Sequence, residues 1–237
     1  MNILQELVNE KSVAIVGPSP HLEGQKLGKL IDSYDLVCRL NEVMPIDLQE
    51  DYGSRTDLVF WNLASEALKD FRQMIYQDKK NVEKIQLIVC PRHSRHTEPQ
   101  HISIESHDNN IFKNFKSLKL KNNFFHIGDE KNISLEKQIG CHPTVGTLAI
   151  STLMNCNLKD LFICGISFYK THKRYNSSLQ QTLTAANNGI TPNFCFAPPG
   201  HDVEKEIDFL QNEFIRYKYL KCKNIGGDQF FKNIFNL

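Results

Sequence analysis

The chain has 237 residues, 41% of them hydrophobic and 23% charged, enough for one sizeable core, and no linker divides it, so a single domain over 1–237 is expected. Its 28 Lys and Arg against 27 Asp and Glu leave a formal charge of +1, which argues against a nucleic-acid partner and makes any anion site a local one. No apolar run approaches bilayer length, MNILQELVNEK lacks the basic head and apolar centre of a signal peptide, and seven cysteines without CxxC spacing read as buried thiols. A cytoplasmic protein without a transmembrane segment is expected, with peripheral membrane contact and an oligomer left open.

Taken in order, SVAIVG (12–17) has the pattern of a buried strand that breaks at Gly17 into PSPHLEGQKLG, a Pro- and Gly-rich turn leading to a helix. Strand, turn and helix suit a nucleotide-binding first unit, although no GxGxxG is present and an ordinary βα turn has the same pattern. DLVCRLNEV predicts a second strand ending at Arg39 and Asn41, and DYGSRTDLVFWN a tight turn and a third strand ending at Trp61 and Asn62. An amide at a strand end offers a donor and an acceptor without charge, which suits a cytosine edge, a ribose or a sugar carboxylate; it equally suits a cap.

Residues 64–79 read as an amphipathic helix and KIQLIVC (84–90) as a fourth strand. The long polar loop that follows carries His93, His96, His101 and His107 at a spacing that fits no structural zinc pattern, so it reads as a mobile surface loop, with covering the site or meeting the acceptor as the functional alternative. Lys113, Lys116, Lys119 and Lys121 read as a solvated face, and FFHIG as a short strand.

After Pro143, the residues Thr144, Val145 and Gly146 open an apolar helix whose first N–H groups can face an anion. LFICGIS is the continuous apolar run of a strand covered on both faces, and it leads to Tyr169 and Tyr175. Ligands of open α/β sheets sit beyond the carboxyl ends of strands, which puts both tyrosines at the expected site. Residues 176–200 are polar and irregular and read as a lid. A last large helix starts at Asp202 with an apolar stripe and an acidic first turn (Asp202, Glu204, Glu206), and His201 stands just before it. The tail NIGGDQFFKNIFNL fits either a closing helix or an amphipathic surface contact.

Gly17, the Asp32-Ser33 pair, Arg39-x-Asn41 and the Gly53–Thr56 turn together resemble the first long motif of glycosyltransferase family 29, the sialyltransferases. Residues 141–175 resemble the second conserved sialyltransferase motif, and FYKTHKRY is similar to the tyrosine loop of bacterial family 42. The resemblance implies an α/β, single Rossmann-like domain with a mainly parallel central sheet flanked by helices, a GT-A-like sialyltransferase variant with a lid. It implies inverting transfer of sialic acid from CMP-sialic acid to a glycan hydroxyl. In that scheme His201 is the catalytic base, supported by Glu204 or Glu206, with Tyr169 and Tyr175 on the donor phosphate. Gly17, Ser19, Asn41, Asn62, Thr144, Val145, Gly146 and His142 hold the CMP-sugar. No cofactor and no metal site are implied: a monophosphate is already a good leaving group, and the chain has no DxD.

Departures from the pattern are specific. Pro18 stands where family 29 usually carries an Asn, and Val13 where animal members carry a Cys, which leaves Cys156 without that partner. His142 and Val145 stand where family 42 carries an Arg and a Ser. They keep two alternatives in view: the same fold using CMP-Kdo or another CMP-nonulosonic acid, and a non-catalytic nucleotide-binding protein.

Overall fold

The computed structural model describes residues 1–41, 48–63, 65–91, 110–170, 201–221 and 224–237. Tyr175, the 176–200 segment and the four histidines between 93 and 107 lie outside these residues.

The apolar runs form β1 (Ser12–Val16), β2 (Leu36–Leu40), β3 (Leu58–Phe60), β4 (Leu87–Cys90), β5 (Asn123–His126), β6 (Asp160–Cys164) and β7 (Ile225–Gly227). They make a seven-stranded sheet in the order β5-β4-β3-β2-β1-β6-β7, with every neighbouring pair parallel. The helices are α1 (Ile3–Val8), α2 (Gly28–Asp32), α3 (Gln49–Tyr52), α4 (Ser65–Val82), α5 (Asn110–Ser117), α6 (Asp129–Ile139), α7 (Val145–Met154), α8 (Val203–Lys221) and α9 (Gln229–Phe235).

Side chains alternate between the faces of a strand, and that alternation builds a three-layer molecule. Val13, Ile15, Cys38, Leu40, Phe60, Val89 and Ile163 point to one face, under α1 and α6 to α9. Val59, Ile88 and Cys90 meet α4 and α5 on the other face, and Ala14, Val16, Val37 and Cys164 meet α2, α3 and Tyr52 there. With both faces covered, the central strands are apolar at nearly every position, which is why LVCRL and LFIC lack a polar alternation.

Arg39 is the exception in β2. It is fully buried, its Nε donates to Arg55 O and Thr56 Oγ1, and its Nη2 to Tyr52 O and Gly53 O. Asp32 accepts from Ser54 N–H, Ser54 Oγ–H and Arg55 N–H. The polar residues of the first motif therefore brace the turn at the amino edge of the sheet, while only its Gly17 and Asn41 ends reach the carboxyl edge.

Several elements differ from the expectations. The tail forms both an edge strand, β7, and the closing helix α9, which Asp228 caps by accepting from Phe231 N–H. β4 starts at Leu87 because Lys84 closes the turn after α4 and Gln86 N–H donates to Asp57 O. α4 runs on to Val82 through a non-helical Asp78. α1 and α6 were not expected at all. Among the described residues, Cys38, Cys90, Cys141, Cys156 and Cys164 are free thiols, and no helix is long and apolar enough to cross a membrane.

Candidate active site

In a parallel sheet the chain leaves each strand at the carboxyl edge and returns through a helix, so helix starts gather at that edge. The strand order reverses between β1 and β6, and their exits touch: Gly17 N–H donates to Cys164 O and Ser19 N–H to Gly165 O, both at 2.9 Å. A Cβ on either Gly17 or Gly165 would run into the backbone of the other. Beside this junction lies the start of α7, where a Cβ on Gly146 would contact Leu40 of β2 and Ile166 after β6. Thr144 caps α7 by accepting from Thr147 N–H at 3.2 Å, leaving Val145 and Gly146 as the other first-turn donors.

His201, on the approach to α8, is drawn to the same place. Its Nδ1 is within hydrogen-bond distance of His142 O, and a carbonyl only accepts, so Nδ1 carries the proton and Nε2 the lone pair. The ring is 7% exposed, and Tyr169 lies against it with centroids 6.5 Å apart. Glu206, one turn into α8, is fully buried, and its Oε1 stands 3.7 Å from His201 Nδ1. Its Oε2 accepts from Thr144 N–H at 2.9 Å, from Thr144 Oγ1–H at 2.8 Å and from Thr147 Oγ1–H. Burial pushes the Glu206 carboxyl above its ordinary value, and these hydrogen bonds only partly oppose it. A proton taken up by His201 places a cation beside that carboxyl and favours its charged form.

Tyr169 is delivered by a strained turn. Phe168 and Tyr169 have φ of 48° and 56°, and Lys170 N–H donates to Ser167 O at 2.9 Å, closing a type I′ turn without glycine at either central position. Left-handed conformations of such residues cost about 1–2 kcal/mol each. Phe168 is held there by burial against Phe235.

The other expected site residues divide. Asn41, itself at φ 51°, accepts from Asn62 N–H at 2.9 Å, so the two strand-end amides form one unit. The hydroxyl and N–H of Thr144 turn to Glu206, tying α7 to α8. The ring of His142 is engaged by Glu136 at 3.0 Å, while its carbonyl serves His201. Of the two acids considered as partners of His201, Glu206 is the one beside it; Glu204 is exposed and pairs with Lys170 at 3.3 Å. Ser19 is buried and contacts His21, a residue not anticipated at the site. Only the three-dimensional closure of the β1 exit on α9 reveals it.

This architecture is shared with solved sialyltransferases. The chain aligns with a crystal structure of the sialyltransferase CST-II, a Tyr-to-Phe variant in complex with CMP, at TM-score 0.60 and 18% identity over 94% of this chain and 84% of that one. It aligns with the monofunctional alpha-2,3-sialyltransferase Cst-I from Campylobacter jejuni at TM-score 0.57 and 18% identity, over 96% and 80% of the two chains. A mammalian sialyltransferase aligns at TM-score 0.50 and 14% identity, over 93% and 70%. No curated protein sequence matches. The fold is therefore that of sialyltransferases. The model of glycosyltransferase family 29 (sialyltransferase) matches residues 8–157, and the chain belongs to that family of glycosyltransferases.

Proposed function

We propose that the protein transfers sialic acid from CMP-sialic acid to a glycan hydroxyl, inverting the anomeric centre and using no metal. The observation that carries this reading is His201, oriented by its Nδ1 contact with His142 O, beside Tyr169 at the carboxyl edge of a family 29 fold. A related structure is a complex with CMP, which supports a CMP-linked donor here.

The acceptor hydroxyl gives its proton to His201 Nε2 as its oxygen bonds to the anomeric carbon, and the bond from that carbon to the phosphate oxygen breaks, releasing CMP. His142 O keeps the imidazolium oriented, and Glu206 stabilises its charge. Tyr169 and Tyr175 donate to the departing phosphate, and the Val145 and Gly146 N–H groups add the field of a helix start. Asn41 and Asn62 hold the nucleoside and sugar; Gly17, Ser19 and Thr144 shape the pocket.

A related reading keeps the chemistry and changes the sugar to Kdo or another nonulosonic acid. The Glu136 contact takes Nδ1 of His142, so contact between this ring and the sugar carboxylate would run through Nε2. The test is CMP release with chelator present, from CMP-sialic acid and from CMP-Kdo, over a panel of glycan acceptors, with His201→Ala alongside. His201-dependent release from one donor names the sugar. Binding of CMP without release from either donor leaves a nucleotide-binding protein and removes the catalytic roles given above.

A further inference from the structure

The helices packed over β3 to β5 have an outer face that the proposed chemistry does not use. In α5, Ile111, Phe115 and Leu118 turn into the core, whereas Phe112, Lys113 and Lys116 are exposed. In α4, Leu68 and Phe71 turn inward, and Lys69, Arg72 and Tyr76 are exposed. Arg72 Nη2 donates to Ser117 Oγ at 3.0 Å, so the two helices present these side chains as one continuous surface.

Positive charge is concentrated on and around these helices. From Lys69 to Lys121 the described residues hold nine of the chain's 28 Lys and Arg but three of its 27 Asp and Glu, so a chain of net charge +1 is basic on this flank and acidic elsewhere. Aromatic rings stand among the cations. Phe115 is stacked on Phe124 inside the layer, with centroids 4.3 Å apart; Phe112 meets the same ring at a right angle, 5.6 Å away, and remains 47% exposed. Tyr76 is 92% exposed. Folding alone therefore buries little of either ring, and aromatic side chains set among lysines on a helix face are the composition of a membrane-interface surface.

We propose that the outer face of α4 and α5 docks on the anionic headgroups of a lipid membrane. The lysines supply a diffuse attraction that follows the surface potential, and Phe112 and Tyr76 enter the boundary between headgroups and acyl chains. Eight of the nine cations are lysines, and the one arginine, Arg72, is engaged by Ser117. Point charges on flexible stems fit a fluid surface better than the forked, fixed phosphate contacts of a nucleic-acid site. α7 and α8, which carry His201 and its neighbours, pack on the opposite face of the sheet, so docking leaves the candidate site open. The proposal goes beyond the transfer reading and does not depend on it.

The test is sedimentation of the full chain with vesicles of phosphatidylcholine alone and of phosphatidylcholine with about one-third phosphatidylglycerol. Binding to the second and not the first, with release as salt is raised, is the expected result. A lysine near such a surface is worth about fivefold in binding, so the double variant Lys113→Gln and Lys116→Gln should bind about 25-fold more weakly. Lys137→Gln with Lys218→Gln removes the same charge from exposed positions on the opposite face, and should bind within about twofold of the wild type. Phe112→Trp should shift its emission to the blue on phosphatidylglycerol vesicles, against a constant background from the protein's one tryptophan, Trp61, which is already buried. Every substituted side chain is exposed, and an unchanged thermal melt checks that each variant folds. Absence of binding to the anionic vesicles, equal losses in the two lysine pairs, or an unshifted emission would each overturn the proposal. Equally tight, lysine-dependent binding to duplex DNA at the same salt would make the face a general polyanion surface and overturn it as well.

Discussion

Of the histidine–carboxylate pairs at the carboxyl edge of the sheet, His21–Asp228 and His201–Glu206 are built in opposite ways. At the β1 exit, Asp228 touches the ring directly at 3.1 Å and spreads three donors over both oxygens. Burial raises its carboxyl, but the bonds from His21, Phe231 N–H and Gly165 N–H outweigh that and hold it below its ordinary value. At the start of α8, all three donors to Glu206 crowd onto Oε2, while Oε1 has no hydrogen-bond partner among the described residues and faces His201 from 3.7 Å. There burial wins and the carboxyl is raised. The first pair has a direct contact and donors on both carboxylate oxygens. The second leaves a carboxyl atom in reserve, suited to a ring that changes charge during a reaction.

The comparison is broken most sharply by removing the His201 ring. His201→Ala should reduce CMP release about 10²- to 10⁴-fold, the usual contribution of a general base, with the thermal melt little altered. Glu206→Gln keeps the shape and removes the charge that answers the imidazolium. It should lower kcat and kcat/KM together by about tenfold, the signature of an interaction made only in the transition state. Thr147→Val deletes one of the donors on Oε2 and should destabilise the fold by about 1–3 kcal/mol, read by denaturant unfolding.

The smallest effects are the pH dependences, and their signs are opposite. Asp228 is depressed, so its stabilisation is present above the ordinary Asp value and is lost as pH falls through the depressed one. Glu206 is raised, so the native state holds its proton longer, and stability falls as pH rises from the ordinary Glu value through the raised one. Melting temperature against pH should therefore lose part of its acid limb in Asp228→Asn, and part of its decline above the ordinary Glu value in Glu206→Gln. Matching changes of one sign in both variants would show that the two sites are not distinct.

The sheet and the edge it presents were readable in the sequence because buried parallel strands write themselves as short apolar runs ending in Gly or Asn. β7 was not, since Ile225, Gly226 and Gly227 carry too little side chain to show a pattern; the strand exists because β6 offers it a register. α6 was hidden because its buried positions, Asn132, Leu135 and Ile139, are few among charged residues. Within the site, residue types were legible and partnerships were not. Thr144 was read as a ligand contact, yet its polar groups face Glu206, 62 residues on. Asn41 and Asn62 were read as separate amides and are joined by a hydrogen bond. His21 and Asp228 are 207 residues apart, beyond any local signal.

The dovetail of Gly17 and Gly165 bears on how this sequence can change over time. A Cβ at either position collides with the main chain of the other, and Gly165 also holds φ at 66°. Since the obstacle is backbone, no second substitution at the partner can make room for the first. The polar tie among Thr144, Thr147 and Glu206 can drift by paired exchange, one side chain compensating another. The glycine junction has no such path, and each of its two positions closes independently to every other residue.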